Sequence, residues 1–140
     1  MTTFIYRRSL RIQWADCDPA GIVFNPRFFE FFDSNTWLMF EAALGVPAAK
    51  INATFGLVGL ALVGAQANFM KPAAFGDTVE LASQIGEFRR SSFDVEHRLT
   101  KGDDVLVEGR ETRVWAVCHN DDPERIATAP IPADVVAKFG

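Results

Sequence analysis

The sequence is poor in the residues that staple or metallate small proteins. Cys17 and Cys118 are its two cysteines and stand far apart in a chain of 140 residues, which excludes a disulfide framework. The two histidines, His97 and His119, have no metal-ligand spacing to each other or to the cysteines, so neither a metal nor another cofactor is expected. Positive charge is also scarce: 14 Lys and Arg stand against 18 Asp and Glu, and a net charge of −4 provides no field to hold a nucleic-acid backbone. Every apolar run meets a polar or breaker residue before it reaches membrane-spanning length. The start, Met1-Thr2-Thr3-Phe4-Ile5-Tyr6-Arg7-Arg8, lacks the basic-then-apolar order of a leader. These absences favour a reduced, cytoplasmic protein with no nucleic-acid and no membrane partner.

What is abundant is apolar surface. At 49% hydrophobic residues, with 13 Phe, the chain has the means to bury one core, and residues 1–140 are expected to form one domain. From Phe4 to Trp14 apolar and polar residues alternate, which predicts a half-buried strand. Asp, Pro, Gly and Asn interrupt that pattern until Pro26, which suits a first helical turn because its missing N–H costs nothing there. A helix is predicted from Pro26 to Leu44, ended by Gly45 and Pro47. Arg27, Glu30, Ser34 and Glu41 fall within roughly 60° of one another on its surface, and Phe28, Phe29, Phe31, Phe32, Trp37 and Phe40 fill most of the rest.

Such a helix must be wrapped by something apolar, and the remaining chain reads as strands. They are predicted over Leu57–Met70, Asp77–Glu87, Ser91–Lys101 and Val105–His119, with turns at Gly76-Asp77, Gly86-Glu87 and Gly102-Asp103. In the third of these, Phe93, Val95, His97 and Leu99 alternate with Ser92, Asp94, Glu96 and Arg98, so the first set is assigned to the core and the second to solvent. His97 then reads as a hydrogen-bonded core histidine and His119 as a surface one. One early helix followed by consecutive strands is an α+β pattern, and it predicts an antiparallel sheet of about five strands around one central helix.

The chemistry is concentrated between Trp14 and Pro26. A carboxylate just ahead of a helix N-terminus combines a nucleophile or base with free N–H groups that favour a developing oxyanion. Asp18 has that position, and Gly21 lets the intervening loop bring backbone N–H groups close to a ligand. Asp16 and Asp18 also read as ordinary turn or capping residues on spacing alone. Cys17 lies between the two carboxylates, which oppose thiolate formation, so it reads as a packed residue and not as a nucleophile.

The segment Asp16-Cys17-Asp18-Pro19-Ala20-Gly21-Ile22-Val23, followed by Phe24, Asn25, Pro26 and an aromatic-rich helix, resembles the hot-dog-fold thioesterases, and most closely the 4-hydroxybenzoyl-CoA branch. Asn68-Phe69 with Pro72 and Phe75-Gly76-Asp77 resembles the family's second block, and Phe88-Arg89-Arg90-Ser91-Ser92-Phe93 resembles its basic turn. The resemblance implies hydrolysis of an aryl-CoA or a short or medium acyl-CoA. Asp18 is then the nucleophile or general base, and the Asn25 N–H polarises the carbonyl. It also implies that Arg89, Arg90, Ser92 and Arg125 lie at the CoA nucleotide, where arginine and phosphate pair well. Phe24, Phe28 and Phe32 would line the acyl chamber, and the protein would be at least a homodimer and in the end a tetramer.

This sequence departs from the pattern in places. Asn25 stands where relatives often carry Tyr or His, Ser91 where the benzoyl-CoA branch has Lys, and Ala127 where it has another Arg. Two other functions compete. One is an acyl-CoA or acyl-carrier-protein binding module without catalysis; the other is an enoyl-CoA hydratase, which wants a histidine shortly after the aspartate, where this chain has none.

Overall fold

Pro26 opens the one long helix, and its place in the chain sets the architecture. In the computed structural model, which describes residues 3–140, this helix, α1, spans Pro26–Leu44 with the proline in its first turn. Gly45 ends it at φ 69°, a left-handed conformation that glycine adopts without penalty, and the Gly45 N–H caps the Glu41 carbonyl at 2.9 Å. Both ends agree with the sequence reading. Met1 and Thr2, which the sequence reading includes in the single domain, lie outside the described residues.

The other elements are β1 (Ile5–Arg11), a short α2 (Ile51–Phe55), β2 (Gly59–Phe69), β3 (Thr78–Phe88), β4 (Ser92–Lys101), β5 (Asp104–Cys118), β6 (Ile126–Thr128) and α3 (Ala133–Ala137). The strands form one antiparallel sheet in the order β1-β3-β4-β5-β2. β6 pairs with Ala116–Cys118 of β5 beyond the end of β4, on the flank that β2 leaves open. Among the described residues the sheet has six strands, where about five were expected. A three-residue strand ahead of Pro130 is too short to show an alternation in the sequence.

Two further expectations are corrected. The first strand stops at Arg11, and Trp14 enters a 3-10 turn, 58% exposed, because Gly76 N–H takes the Ile12 carbonyl and the Asp16 carboxylate accepts the Gln13 N–H. Gly86 is not a turn residue but lies in a bulge between Ile85 and Glu87, so β3 continues to Phe88. The turns at Gly76 and Gly102 stand as read, both with positive φ.

The apolar core lies between α1 and the sheet in two clusters. Phe28 and Phe32 pack with Val79, Leu81, Leu99 and Val107, while Met39 and Phe40 pack with Phe93, Val95, Trp115 and Phe139. Buried polar residues join the same layer: Asn35 and Thr36 on α1, and Ser83, His97, Glu111 and Arg113 on the sheet.

Candidate active site

The segment ahead of α1 folds as a small hairpin. Asp18 N–H donates to the Ile22 carbonyl at 2.9 Å, Gly21 N–H returns to the Asp18 carbonyl at 2.9 Å, and Cys17 and Val23 form a bridge. Gly21 turns the chain at φ 80°, where a side chain would be strained. The hairpin docks on the connection between β2 and β3: Val23 N–H donates to Ala73 O, Phe75 N–H donates to Gly21 O, and Ile22 bridges Ala74. This docking fixes the loop to the sheet at the end where β3 begins.

Within it, the Asp18 carboxylate accepts the Ala20 N–H through Oδ1 at 2.8 Å, and Oδ2 has no partner among the described residues. One oxygen orients the group and the other is available for chemistry. At the entry to α1 the Arg27 N–H takes Phe24 O at 2.8 Å and the Phe28 N–H takes Asn25 O at 3.2 Å. The Asn25 N–H has no partner among the described residues, and it sits at the positive end of the helix. Asp16 is spent on the Gln13 N–H, as its scaffold reading implied. Burial, followed by the Asp16 and Asp18 charges, pushes the Cys17 thiol up, so it is a poor nucleophile.

Around this loop lie apolar side chains open to solvent. Trp14 and Phe75 meet edge to face with centroids 5.5 Å apart, and Ile22 and Phe24 are exposed beside them. Of the three aromatic residues assigned to an acyl chamber, Phe24 alone presents a face to solvent, whereas Phe28 and Phe32 are core side chains at 3% and 1% exposure.

The arginine turn is elsewhere. Arg89 and Arg90 follow the end of β3, whereas the Asp18 loop sits at its beginning, so the length of β3 separates them by roughly 30 Å. Ser92 belongs to the same turn as the arginines, and Arg125 precedes β6 at the same end of the sheet. A single chain does not bring the predicted carboxylate and the predicted phosphate contacts together.

Comparison with known proteins decides the family. The model of the thioesterase-like superfamily matches residues 12–139. The chain belongs to the thioesterase-like superfamily. It is 34% identical to the 4-hydroxybenzoyl-CoA thioesterase of Pseudomonas sp. (strain CBS-3), over 90% of this chain and 91% of that protein. An aspartate-to-asparagine variant of a 4-hydroxybenzoyl CoA thioesterase, solved with 4-hydroxybenzoyl CoA, superposes with a TM-score of 0.86 at 29% identity, covering 98% of this chain and 99% of that one. A gentisyl-coenzyme A thioesterase superposes with a TM-score of 0.81 at 30% identity, over 96% and 100% of the two chains. The sheet and helix of this thioesterase are thus the hot-dog fold, and the chain is a thioester hydrolase.

The thioesterase also carries a polar network that sequence reasoning found only in part. His97 is a buried, hydrogen-bonded core residue as read, with Nδ1 at 2.6 Å from Ser83 Oγ and Nε2 at 2.9 Å from a Glu111 carboxylate oxygen. Asn35 donates to Ser83 Oγ and Thr36 donates to Glu111, so α1 is tied to the sheet at mid-length. Arg113 donates to Glu111 and Asp33 at 2.7 Å each and to the Leu60 carbonyl at 2.8 Å. Burial alone would raise the Glu111 carboxyl, but hydrogen bonds from His97 and Arg113 outweigh it and bring it down to about 2. The signal was present in β5, where Val107, Gly109, Glu111, Arg113 and Trp115 share the buried face; alternation places an acid and a base inside together.

The assignment of Asp94 to solvent is corrected as well. It is 2% exposed, enclosed by Arg89, Arg110 and Thr112, although it faces away from the helix. Alternation gives the face of a sheet; it does not say whether long neighbouring side chains fold over that face. Among the described residues no cluster of His, Cys, Asp and Glu is arranged to hold a metal, and no helix is long and apolar enough to cross a membrane.

Proposed function

We propose that the protein hydrolyses aryl-CoA thioesters of the 4-hydroxybenzoyl type, acting as one hot-dog domain with Asp18 as nucleophile or general base. The observation that carries this reading is the Asp18 carboxylate, held by Oδ1 and free at Oδ2, in a loop that leads directly to the unpaired Asn25 N–H at the start of α1. That N–H and the helix dipole stabilise the oxyanion formed when the thioester carbonyl is attacked. As general base, Asp18 takes a proton from the attacking water and the CoA thiolate leaves. As nucleophile, it forms an anhydride that water then cleaves. Both routes end in the free acid and CoA thiol, and both use the same two groups. Single-turnover hydrolysis in labelled water tests for the anhydride, because label enters the Asp18 carboxyl only where water cleaves an anhydride at the aspartyl carbon.

The aryl preference is supported by the names of the relatives, a 4-hydroxybenzoyl-CoA and a gentisyl-CoA thioesterase, and by Trp14, Phe24 and Phe75 around the loop. Phe28 and Phe32 would then back the chamber from within the core. We assign the CoA nucleotide to the turn carrying Arg89, Arg90 and Ser92, with Arg125 nearby. Because that turn is far from Asp18 in one chain, the arginines come from another copy. The exposed edge strand β2, with Leu62 and Val63 at 52% and 62% exposure, offers an edge for a dimer, and two dimers complete a tetramer. We infer a cytoplasmic protein, a reading supported by its two free cysteines.

The test is a panel of benzoyl, hydroxybenzoyl, phenylacetyl and aliphatic acyl-CoAs ranked by kcat/KM from thiol release. Hydroxybenzoyl-CoA is expected near the top. Tight binding of the whole panel with no thiol released would instead establish a binding module.

A further inference from the structure

The turn joining β3 to β4 contains two arginines in different situations. Arg89 is fully engaged: Nε donates to Ser92 Oγ at 2.9 Å, one terminal nitrogen donates to Glu87 at 3.0 Å and to Asp94 at 3.1 Å, and the other donates to Asp94 at 2.7 Å. Its backbone N–H donates to the Ser92 carbonyl at 2.8 Å, which closes the turn across Arg90 and Ser91. Arg90 is exposed, and its side chain has no partner among the described residues. Its backbone carbonyl, however, accepts the Ile131 N–H at 2.8 Å, and the Ser91 carbonyl accepts the Trp115 N–H at 2.8 Å. The main chain beneath the free arginine is therefore fixed while its guanidinium is not.

Asp94 organises this arrangement. Its side chain is 3% exposed and receives donors from Arg89 on both oxygens, from Arg110 at 2.6 Å and from Thr112 at 2.8 Å. Arg110 and Thr112 come from β5, so Asp94 locks the Arg89 fork to the centre of the sheet. A carboxylate this enclosed is retained only where all its donors are in place, and an arginine holding a bidentate partner is not available to a phosphate.

We propose that Asp94 is a positioning residue for CoA recognition: it clamps Arg89, the clamp holds the turn, and the turn presents Arg90 as the phosphate contact. This rests on the assignment of the turn to the CoA nucleotide, and it divides the residues given that role: Arg89 and Ser92 build the turn, and Arg90 meets the anion.

The test measures kcat and KM on two substrates, the best aryl-CoA of the panel and its pantetheine thioester, which lacks the nucleotide. Arg90→Ala is expected to raise KM for the CoA substrate about tenfold, the loss of one charge-assisted contact, and to leave the pantetheine KM unchanged. Asp94→Asn keeps the volume but releases the fork, and is expected to raise KM for the CoA substrate at least about threefold, with kcat and the pantetheine KM unchanged. Arg89→Lys keeps the charge and loses the fork, so it is expected to match Asp94→Asn, and the double variant to be no worse than either. Arg89→Lys also keeps the proposal testable where Asp94→Asn fails to fold.

If Arg90→Ala changes neither substrate, the turn is not the nucleotide site, and the inference falls with that assignment. If Arg90→Ala is selective but Asp94→Asn and Arg89→Lys leave the CoA KM unchanged, or raise both KM values equally, the assignment survives and the positioning role is overturned.

Discussion

The Phe32 ring lies flat on the His97 imidazole, with centroids 4.6 Å and planes 7° apart. Phe32 comes from α1 and His97 from β4, so this stack joins the helix to the middle of the sheet at the point where an apolar cluster meets the buried polar network. Gly109 of β5, the register partner of His97, also lies against the Phe32 ring, and its missing side chain makes room for the ring edge.

Gly109→Ala is therefore expected to destabilise. A methyl group at this position would overlap the Phe32 ring, and the stack on His97 leaves the ring little room to withdraw. The expected loss is about 1–3 kcal/mol, the usual cost of overpacking a filled core. Urea unfolding measures it. Phe32→Leu combined with Gly109→Ala should cost less than the sum of the two single changes, because the smaller side chain vacates the space the methyl needs.

Glu111→Ala removes the acceptor shared by His97, Thr36 and Arg113. It leaves the Arg113 guanidinium buried with Asp33 as its remaining acidic partner, and Asp33 is itself 57% exposed. Breaking one side of a buried ion pair costs about 3–5 kcal/mol. Chemical denaturation should show this loss, and a change below about 1 kcal/mol would mean that the network is not a stabilising unit.

The same carboxylates set the response to acid. Hydrogen bonds from Arg89, joined by those from Arg110 and Thr112, hold Asp94 well below the usual carboxylate range against the opposing effect of burial, and Glu111 is brought down to about 2. A folded-state pKa below the unfolded value means that the unfolded chain binds more protons in the interval between the two, so acid favours unfolding there. The stabilisation is complete at neutral pH, begins to decline below about pH 5 as unfolded carboxyls take up protons, and for Glu111 is lost toward about pH 2. Unfolding free energies measured from pH 7 down to pH 3 should show this slope, and Glu111→Gln should reduce it.

Asp18→Asn preserves volume and can still accept the Ala20 N–H, but it removes the charge that attacks or activates water. Turnover on the best aryl-CoA should fall at least about a hundredfold, roughly 2.7 kcal/mol of barrier, with the circular dichroism spectrum unchanged. Activity near that of the unaltered protein would remove Asp18 from the catalytic role.

Most of the secondary structure was legible in local signals. Pro26 and Gly45 bound α1 because each acts through its own backbone, one by lacking an N–H and the other by accepting a left-handed turn. The alternation in β4 placed Phe93, Val95, His97 and Leu99 inside. β6 was hidden because three residues carry too little pattern, and the bulge at Gly86 because an unpaired residue is defined by its partner strand.

The sequence by itself determined the bounds of α1, the turns at Gly76 and Gly102, the apolar face of β4, and a segment in which a carboxylate precedes a helix start. Those properties depend on residues within a few positions of one another. The tertiary structure decided what happens to the charges. It enclosed Asp94 beneath Arg89 and Arg110, paired Glu111 with His97 and Arg113 under α1, and set the Asp18 loop and the arginine turn at opposite ends of β3. A charge is buried or exposed according to neighbours from distant strands, and their register does not exist until the sheet has formed.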